Sequence, residues 1–598
     1  MNRILERLDE RLPAWAQGRV RRRILGGAVV VLLVVVLAVS CGGAGGTTDV
    51  PVLADGPDAG VNGVRAPSDA SGGTLQVVAG DVDSLDPQRS YLPGVWNLMR
   101  LYTRTLVTYS PKPGHTGELV PDLATDDGSS PDGGTTWKFT LRPGPKFENG
   151  RAITSRDVKY GIERSFASDV VVGGPTYVVD LLDDPANPYP GPYQDESKGK
   201  LGLKSVETPD DKTIVFHLRH PQPDFPYVLA LPSSSPVPIE GDTADKYGEH
   251  PVSSGPYTIA SIDAQTGIRL DRNKQWDRST EHVRTALPDH VVVRTGLSGV
   301  ERDQALLAGS ADVDISGTGV QAATSARLAD GSDAAKELAD RVDDVTTGAV
   351  RLLALPTNVP PMDNPKCRAA VAAAVDRSQV QQLLGGADDA VRSSQLWPRG
   401  VPGGPDDTDP KPDLTAARAA LTSCGHPEGF QTVLAVANAS VTVDVANGIA
   451  RQLAKVGIKA EVKPLDATSF YGKDVGSPDN VVANHYGIVL TTWTADFPTP
   501  GSFLVPLADG RGIRSVGNTD YAHLADKNIE ALVDAARKAS SQSAGQAAWR
   551  KVAGAVEDSH AYVPLAETRI QLVSGQRLHN GLVMQPYSSY DLATAGIA

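Results

Sequence analysis

Helices and strands alternate along most of this chain, and this alternation restricts the fold class more than any other feature of the sequence. The apolar residues of one segment recur at helical spacing, at Val445, Ile449, Leu453 and Val456. The helix should end at Gly457, and the alternating residues 458–462 should then form a strand. Other segments repeat this order, with strands at residues 137–142 and 486–491. Interleaved elements of this kind predict an α/β fold.

Two helix starts can be recognised from their capping residues. Thr154 followed by Asp157 has the spacing of a capping box, so a helix should begin after Thr154. Asn364 followed by Pro365 is typical of an N-cap with proline at the first helical position. Cys367 lies on the apolar face of that second helix, and Cys424 lies at the end of the next one, which should stop at Gly425.

The N-terminus has the pattern of an export signal. Seven arginines within residues 1–23 precede an uncharged, mostly apolar run at 24–40, and Cys41 follows directly. The last residues of the run, Leu37 to Cys41, resemble a bacterial lipobox. We therefore expect residues 1–40 to be removed, Cys41 to be acylated and residues 41–71, rich in Gly, Ala, Asp and Pro, to be a flexible tether. An uncleaved signal anchor is the alternative.

Composition limits the partners. The 598 residues leave room for about four domain-sized units. The net charge of −14 argues against a nucleic-acid partner. Beyond Cys41 there are only two cysteines, Cys367 and Cys424, and in an oxidising compartment they could form a disulfide or remain two separate buried thiols.

Common catalytic motifs are missing. The sequence has no G-x-S-x-G, H-E-x-x-H, C-x-x-C or P-loop pattern, so we predict no enzyme activity, no cofactor and no metal. Residues 317–322 fit G-x-G-x-x-[GA], a dinucleotide-binding pattern. The strand before them is short and carries Asp312 and Asp314, so a glycine-rich turn is the preferred interpretation.

One stretch resembles a family signature. Residues 139–150 read FTLRPGPKFENG and residues 154–158 read TSRDV, which is similar to the signature of the family 5 solute-binding proteins of ABC importers. Further matches follow in the family's order, among them SLDP at 84–87, SGPY at 254–257 and WTADFP at 493–498. Together they cover about residues 72–598.

The resemblance implies a two-lobed periplasmic-binding-protein type II fold with an extra subdomain in the first lobe. Lobe I would comprise residues 72–106, 236–351 and 565–598, and the extra subdomain residues 107–235. Lobe II would comprise residues 352–564. The ligand would be enclosed between the lobes.

The resemblance also implies the ligand-binding residues. In oligopeptide-binding relatives the aspartate of a W-x-A-D-Y segment pairs with the peptide α-amine, and this position is Asp496 here. Trp493, Ala495 and Phe497 flank it, with Phe497 where tyrosine is usual. Trp493 would either wall the pocket or pack in the core. Tyr91 and Gly94 belong to a loop that would offer its backbone to an extended peptide.

The predicted function is therefore capture of a short peptide by hinge closure and its delivery to the permease and ATPase subunits of an ABC importer. The protein would be a monomer, exported and held at the outer face of the cell membrane by its lipid. The alternatives are the same fold binding a nickel complex, an oligosaccharide or another small solute, or a regulatory lipoprotein of the cell envelope that transports nothing.

Overall fold

The computed structural model describes residues 56–597, except 198, 264, 400, 402–409, 468, 516 and 540–541. The expected signal peptide, Cys41 and the first part of the expected tether lie outside the described residues.

Helices are distributed over the whole described part of the chain. The α-helices are Ala59–Asn62, Pro93–Met99, Ser155–Arg164, Tyr177–Leu182, Phe225–Ala230, Gly299–Leu307, Ala322–Leu328, Asp333–Ala339, Pro365–Ala374, Arg377–Leu383, Leu414–Ser423, Ser440–Ala454, Pro478–Ala483, Pro500–Ala508, Lys527–Arg537 and Gln542–Ser559. Short 3-10 helices cover Pro232–Ser234, Ile239–Gly241, Ala244–Glu249, Arg278–Thr280, Gly510–Gly512 and Gln585–Tyr587, and a π-helix covers Phe470–Asp474.

Both predicted helix starts are confirmed. The Asp157 carboxylate accepts a hydrogen bond from the backbone N–H of Thr154 at 2.8 Å, which closes the capping box. The Asn364 side chain accepts from the N–H of Lys366 at 3.0 Å, and Pro365 is the first helical residue. These bonds satisfy N–H groups that the first helical turn leaves without partners.

The strands form two large mixed sheets and several small ones. The five-stranded sheet has the order Val313–Asp314, Thr74–Val78, His290–Arg294, Gly267–Arg272, Tyr257–Asp263. The six-stranded sheet has the order Ala390–Arg392, Tyr562–Val573, Val342–Ala354, Ile488–Thr494, Gln431–Ala437, Lys459–Leu465. The predicted helix ending before Gly457 is Ser440–Ala454, and the strand after it is Lys459–Leu465, so the α/β prediction is confirmed there.

Small sheets lie between residues 107 and 217 and at the C-terminal end. A three-stranded sheet has the order Thr136–Thr140, Thr213–His217, Val206–Glu207, and Val107–Tyr109 pairs with Leu119–Pro121. Leu578–His579 pairs with Gly596–Ile597, and Val583–Met584 pairs with Ser589–Tyr590. We call residues 107–235 the small-sheet region.

Each large sheet and the small-sheet region has its own hydrophobic core. The core of the five-stranded sheet includes Leu75, Val291 and Leu270. Separate cores lie on the two faces of the six-stranded sheet, one around Leu352 and Trp397 and the other around Leu353 and Ile449. The small-sheet region has a further core, with Phe139, Phe216 and Phe225.

Two long strands run from one core to another. Val342–Ala354 and Tyr562–Val573 pair antiparallel over most of their length. At one end, Val345 and Leu572 belong to the core of the five-stranded sheet. At the other, Leu352 and Tyr562 belong to a core of the six-stranded sheet. The pairing is interrupted between Thr346 and Val350, halfway along.

The expectation of a flexible tether up to residue 71 is wrong for the residues from Gly56 onward. Arg65 is 7% exposed and forms an ion pair with Asp343 at 2.9 Å. The N–H of Gly60 donates to the same carboxylate at 2.8 Å. A buried aspartate needs such partners, because a carboxylate without them pays a large desolvation cost. The linker-like composition of residues 41–71 did not indicate that Arg65 would hold this segment against Asp343.

The structure joins Cys367 and Cys424 in a disulfide, the bridged of the two alternatives left open by the sequence. Their Cα atoms are 5.5 Å apart, within the usual range for a disulfide. The bridge ties helix Pro365–Ala374 to the C-terminal end of helix Leu414–Ser423.

Candidate functional site

A cleft of about 620 Å³ lies where the two large sheets meet. Residues 79–81 and 315–318, which follow strands of the five-stranded sheet, form one wall. The opposite wall is formed by Thr494, the last residue of strand Ile488–Thr494 of the six-stranded sheet, and by residues 495–498 after it. Thr347 and Gly348, at the interruption of the long strands, line the space between them. A volume of this size is typical of small-molecule sites.

Asp496 lies in the cleft wall, held by two tyrosines. The Tyr91 hydroxyl donates to Asp496 Oδ2 at 2.7 Å, and the Tyr177 hydroxyl donates to the same oxygen. Burial, reinforced by the nearby Asp496 charge, raises the pKa of both tyrosines, so both remain protonated donors at neutral pH. No Lys or Arg forms an ion pair with Asp496 within the part of the chain that the structure describes.

Phe497 lines the cleft and also closes the core of the small-sheet region. Its side chain is 5% exposed and belongs to that core, although the strand before it, Ile488–Thr494, belongs to the six-stranded sheet. Its ring stacks on Tyr227, with centroids 6.0 Å apart, and meets Tyr177 edge-on at 5.5 Å. The segment after Thr494 therefore contacts both the cleft and the small-sheet region.

Of the four remaining predicted ligand residues, two line the cleft and two do not. Ala495 and Gly94 line the cleft. Trp493 does not: its indole N–H donates to the carbonyl of Ser502 at 3.2 Å, and its ring packs on a core of the six-stranded sheet. Tyr91 reaches Asp496 through its hydroxyl and is 45% exposed.

Gly94 is not in the extended conformation that peptide pairing along the loop would require. It lies in the first turn of helix Pro93–Met99, and only the preceding Leu92 is extended. A β-carbon at Gly94 would come within 1.9 Å of the carbonyl oxygen of Ile315, so the close approach of these two cleft segments requires glycine.

The glycine-rich residues 317–321 form a turn that leads into helix Ala322–Leu328, in agreement with the interpretation preferred from the sequence. The strand before it, Val313–Asp314, has only two residues. Ser316, Gly317 and Thr318 line the cleft, which the sequence did not indicate. The glycine-rich segment therefore contributes part of the cleft wall.

Sequence reasoning also missed Tyr177, which contacts Asp496, and Arg302, which lines the cleft. Tyr177 is 319 positions from Asp496, and no local pattern links the two. Arg302 lines the cleft, and its guanidinium already donates to Asp314 at 3.0 Å, to the carbonyl of Leu297 at 2.7 Å and to Thr318 at 3.0 Å.

The described residues contain neither a membrane-spanning helix nor a metal-binding cluster. None of the helices there combines the length and the apolar character needed to cross a membrane. No group of three or more His, Cys, Asp or Glu side chains in the same residues is arranged to hold a metal ion.

Known proteins similar to this chain share one family. The sequence model of the bacterial extracellular solute-binding proteins, family 5 Middle, matches residues 118–515, more than half of the chain. The peptide transport periplasmic protein SapA of Salmonella typhimurium is 25% identical over 553 residues, covering 87% of this chain and 91% of SapA. The probable di/tripeptide-binding protein 5 of Pseudomonas aeruginosa is 22% identical over 508 residues, covering 80% of this chain and 88% of that protein.

Solved structures agree with this grouping. Clavulanic acid biosynthesis oligopeptide binding protein 2 superposes with a TM-score of 0.85 at 38% identity, covering 92% of this chain and 99% of that one. The two-lobed α/β fold predicted from the sequence is thus confirmed.

Proposed function

The chain belongs to the family 5 bacterial extracellular solute-binding proteins, which bind solutes for import and are not enzymes, and from that premise we propose that its solute is a short peptide held by Asp496. Hydroxyl groups from two other segments orient the carboxylate at the cleft wall, but no cation of the described residues neutralises it. This observation carries the proposal. A peptide α-amine supplies the missing charge and selects no particular side chain.

Similar proteins support a peptide rather than another solute. The names of the relatives from Salmonella and Pseudomonas, and of the superposed structure, refer to peptides. The peptide amine would face the Asp496 oxygen that the tyrosines leave open, and the chain would then run along the cleft between residues 315–318 and Ala495.

We further propose that capture works by hinge closure, with the lobe boundaries expected from the sequence. The separate cores and the interrupted pairing of the long strands between Thr346 and Val350 support this division. Ligand contacts made by both walls at once would favour the closed form over the open one.

The amine partner can be tested by calorimetry. Replacing Asp496 by asparagine keeps the side-chain size and removes the charge, so the free energy of peptide binding should weaken by about 2–5 kcal/mol. Asp184→Asn, in an exposed loop of the small-sheet region, is the matched control for net charge and should bind as the wild type does. Native mass spectrometry of the purified protein supplies the ligand: co-purified masses that fragment as peptides are expected. Unchanged affinity in Asp496→Asn would remove the residue from the site.

The lipid anchor is also a proposal, based on residues 24–41 of the sequence. Mass spectrometry of the mature N-terminus should find acylated Cys41 as the first residue. An unmodified Cys41, or retained residues before it, would contradict the anchor.

A further inference from the structure

A second cavity lies between the small-sheet region and the six-stranded sheet. It has a volume of about 400 Å³. From the small-sheet region it is lined by Trp137, Asp224 and Tyr227, and from the other side by Thr499 and Trp549. We call it the side cavity. Pro498 lines both this cavity and the cleft.

The side cavity is separate from the cleft. Phe497 stacks on Tyr227, and these rings stand between the two spaces. Asp496 does not line the side cavity, and Asp224 does not line the cleft. A ligand of the side cavity would therefore be recognised by different residues.

Asp224 lacks a positive partner. Its Oδ2 accepts one hydrogen bond, from the Thr499 hydroxyl at 2.8 Å. Within the described residues neither a Lys nor an Arg forms an ion pair with it, and none of the side chains that line the cavity is basic. Burial raises the pKa of Asp224 to about 6, so the group is still largely ionised at pH 7. A desolvated carboxylate without a counter-charge is costly unless a ligand provides one.

The aromatic residues of the side cavity suit a cation. Trp137, Tyr227 and Trp549 present rings to it, and tryptophan faces bind ammonium and guanidinium groups best. A β-carbon at Gly501 would lie 2.9 Å from both Asp224 Oδ2 and the Trp549 ring, so the carboxylate and the ring lie close together against this glycine. The buried indole N–H of Trp137 has no acceptor in the described part of the protein.

We propose that the side cavity binds an organic cation, an alkylammonium or guanidinium group, between its tryptophan rings and the Asp224 carboxylate. Because the cavity is walled by both the small-sheet region and the six-stranded sheet, the bound cation would also hold the two together. The proposal does not depend on a peptide occupying the cleft.

Methylguanidinium is a suitable probe, because it carries the charge of the proposed ligand and has a neutral analogue of the same shape. A guanidinium can also pair with the Asp496 carboxylate, so Asp496→Asn is needed to distinguish the two sites. Calorimetry and tryptophan fluorescence of the purified protein should show saturable methylguanidinium binding with a Kd below about 10 mM. N-methylurea, the neutral analogue of the same shape, should bind at least tenfold more weakly. Asp224→Asn should weaken methylguanidinium binding by a similar factor, while Asp184→Asn and Asp496→Asn should leave it unchanged.

Several results would overturn the proposal. These are absence of methylguanidinium binding in the wild type, equal binding of N-methylurea, unchanged binding in Asp224→Asn, or loss of binding in Asp496→Asn. The last would place the cation in the cleft. Failure of peptide binding with methylguanidinium binding intact would count against the proposed function alone.

Discussion

His523 and Asp520 are two buried titratable residues with opposite effects on stability. His523 is 6% exposed, shares a hydrogen bond with Asn358 at 2.7 Å, and burial lowers its pKa to about 4. Asp520 is 1% exposed, accepts from the Tyr562 hydroxyl at 2.9 Å, and burial raises its pKa to about 7. Each group is therefore favoured in its neutral form by the fold.

The two residues predict pH effects of opposite sign. Between pH 6.5 and 4 the unfolded chain protonates His523 and the native protein does not, so acid lowers stability by about 3 kcal/mol through this residue. Between pH 4 and 7 the native protein retains the Asp520 proton that the unfolded chain loses, so acid raises stability through that residue.

Substitutions can separate the two effects. Relative to the wild type, His523→Gln should become more stable as the pH falls from 7 to 4, and Asp520→Asn should become less stable over the same range. Urea unfolding midpoints at several pH values measure both trends. Parallel curves for the wild type and His523→Gln would contradict the assignment.

At the scale of elements, a buried charge network holds the small-sheet region to the five-stranded sheet. Asp122, which follows strand Leu119–Pro121, pairs with Arg104 at 2.7 Å and with Arg284 at 2.8 Å. Glu281 pairs with Arg284 at 3.3 Å. All four side chains are at most 1% exposed. The four buried side chains share their ion pairs, so loss of one charged partner affects the others.

Removing one arginine of this network should destabilise the protein strongly. Arg284→Met leaves two buried carboxylates short of a cation and should destabilise the protein by about 3–5 kcal/mol. Arg269→Met is the control, because Arg269 pairs with Asp271 at an exposed site and should cost at most about 1 kcal/mol. Thermal unfolding of both variants decides the matter. Equal losses of stability in the two variants would contradict the prediction that the buried network contributes more than an exposed ion pair.

For the whole molecule, the proposed closure predicts a change of dimensions. A saturating peptide should reduce the radius of gyration measured by small-angle X-ray scattering, because ligand bound to both walls favours the closed form. At the same peptide concentration, Asp496→Asn should remain at the dimensions of the unliganded protein. Identical scattering with and without bound peptide would contradict hinge closure.

Sequence reasoning worked where the information is local. The periodicity of residues 445–456 and the caps at Thr154 and Asn364 predicted helices, because spacing and capping act within one or two turns. The signature at 139–150 carried the family, and with it the two-lobed fold and Asp496 as the residue to test. Sequence reasoning failed at residues 56–71. Their composition is typical of a linker, but Arg65 among them pairs with the distant Asp343.

The sequence by itself therefore determined the α/β class, the family and one cleft carboxylate. Only the tertiary structure decided that Tyr177 holds Asp496, that Trp493 packs behind the wall and that Asp224 lies without a counter-charge in an aromatic cavity. The physical reason is distance along the chain. Asp224 and Thr499 are 275 positions apart, and only packing of two separate cores brings such residues into hydrogen-bonding contact.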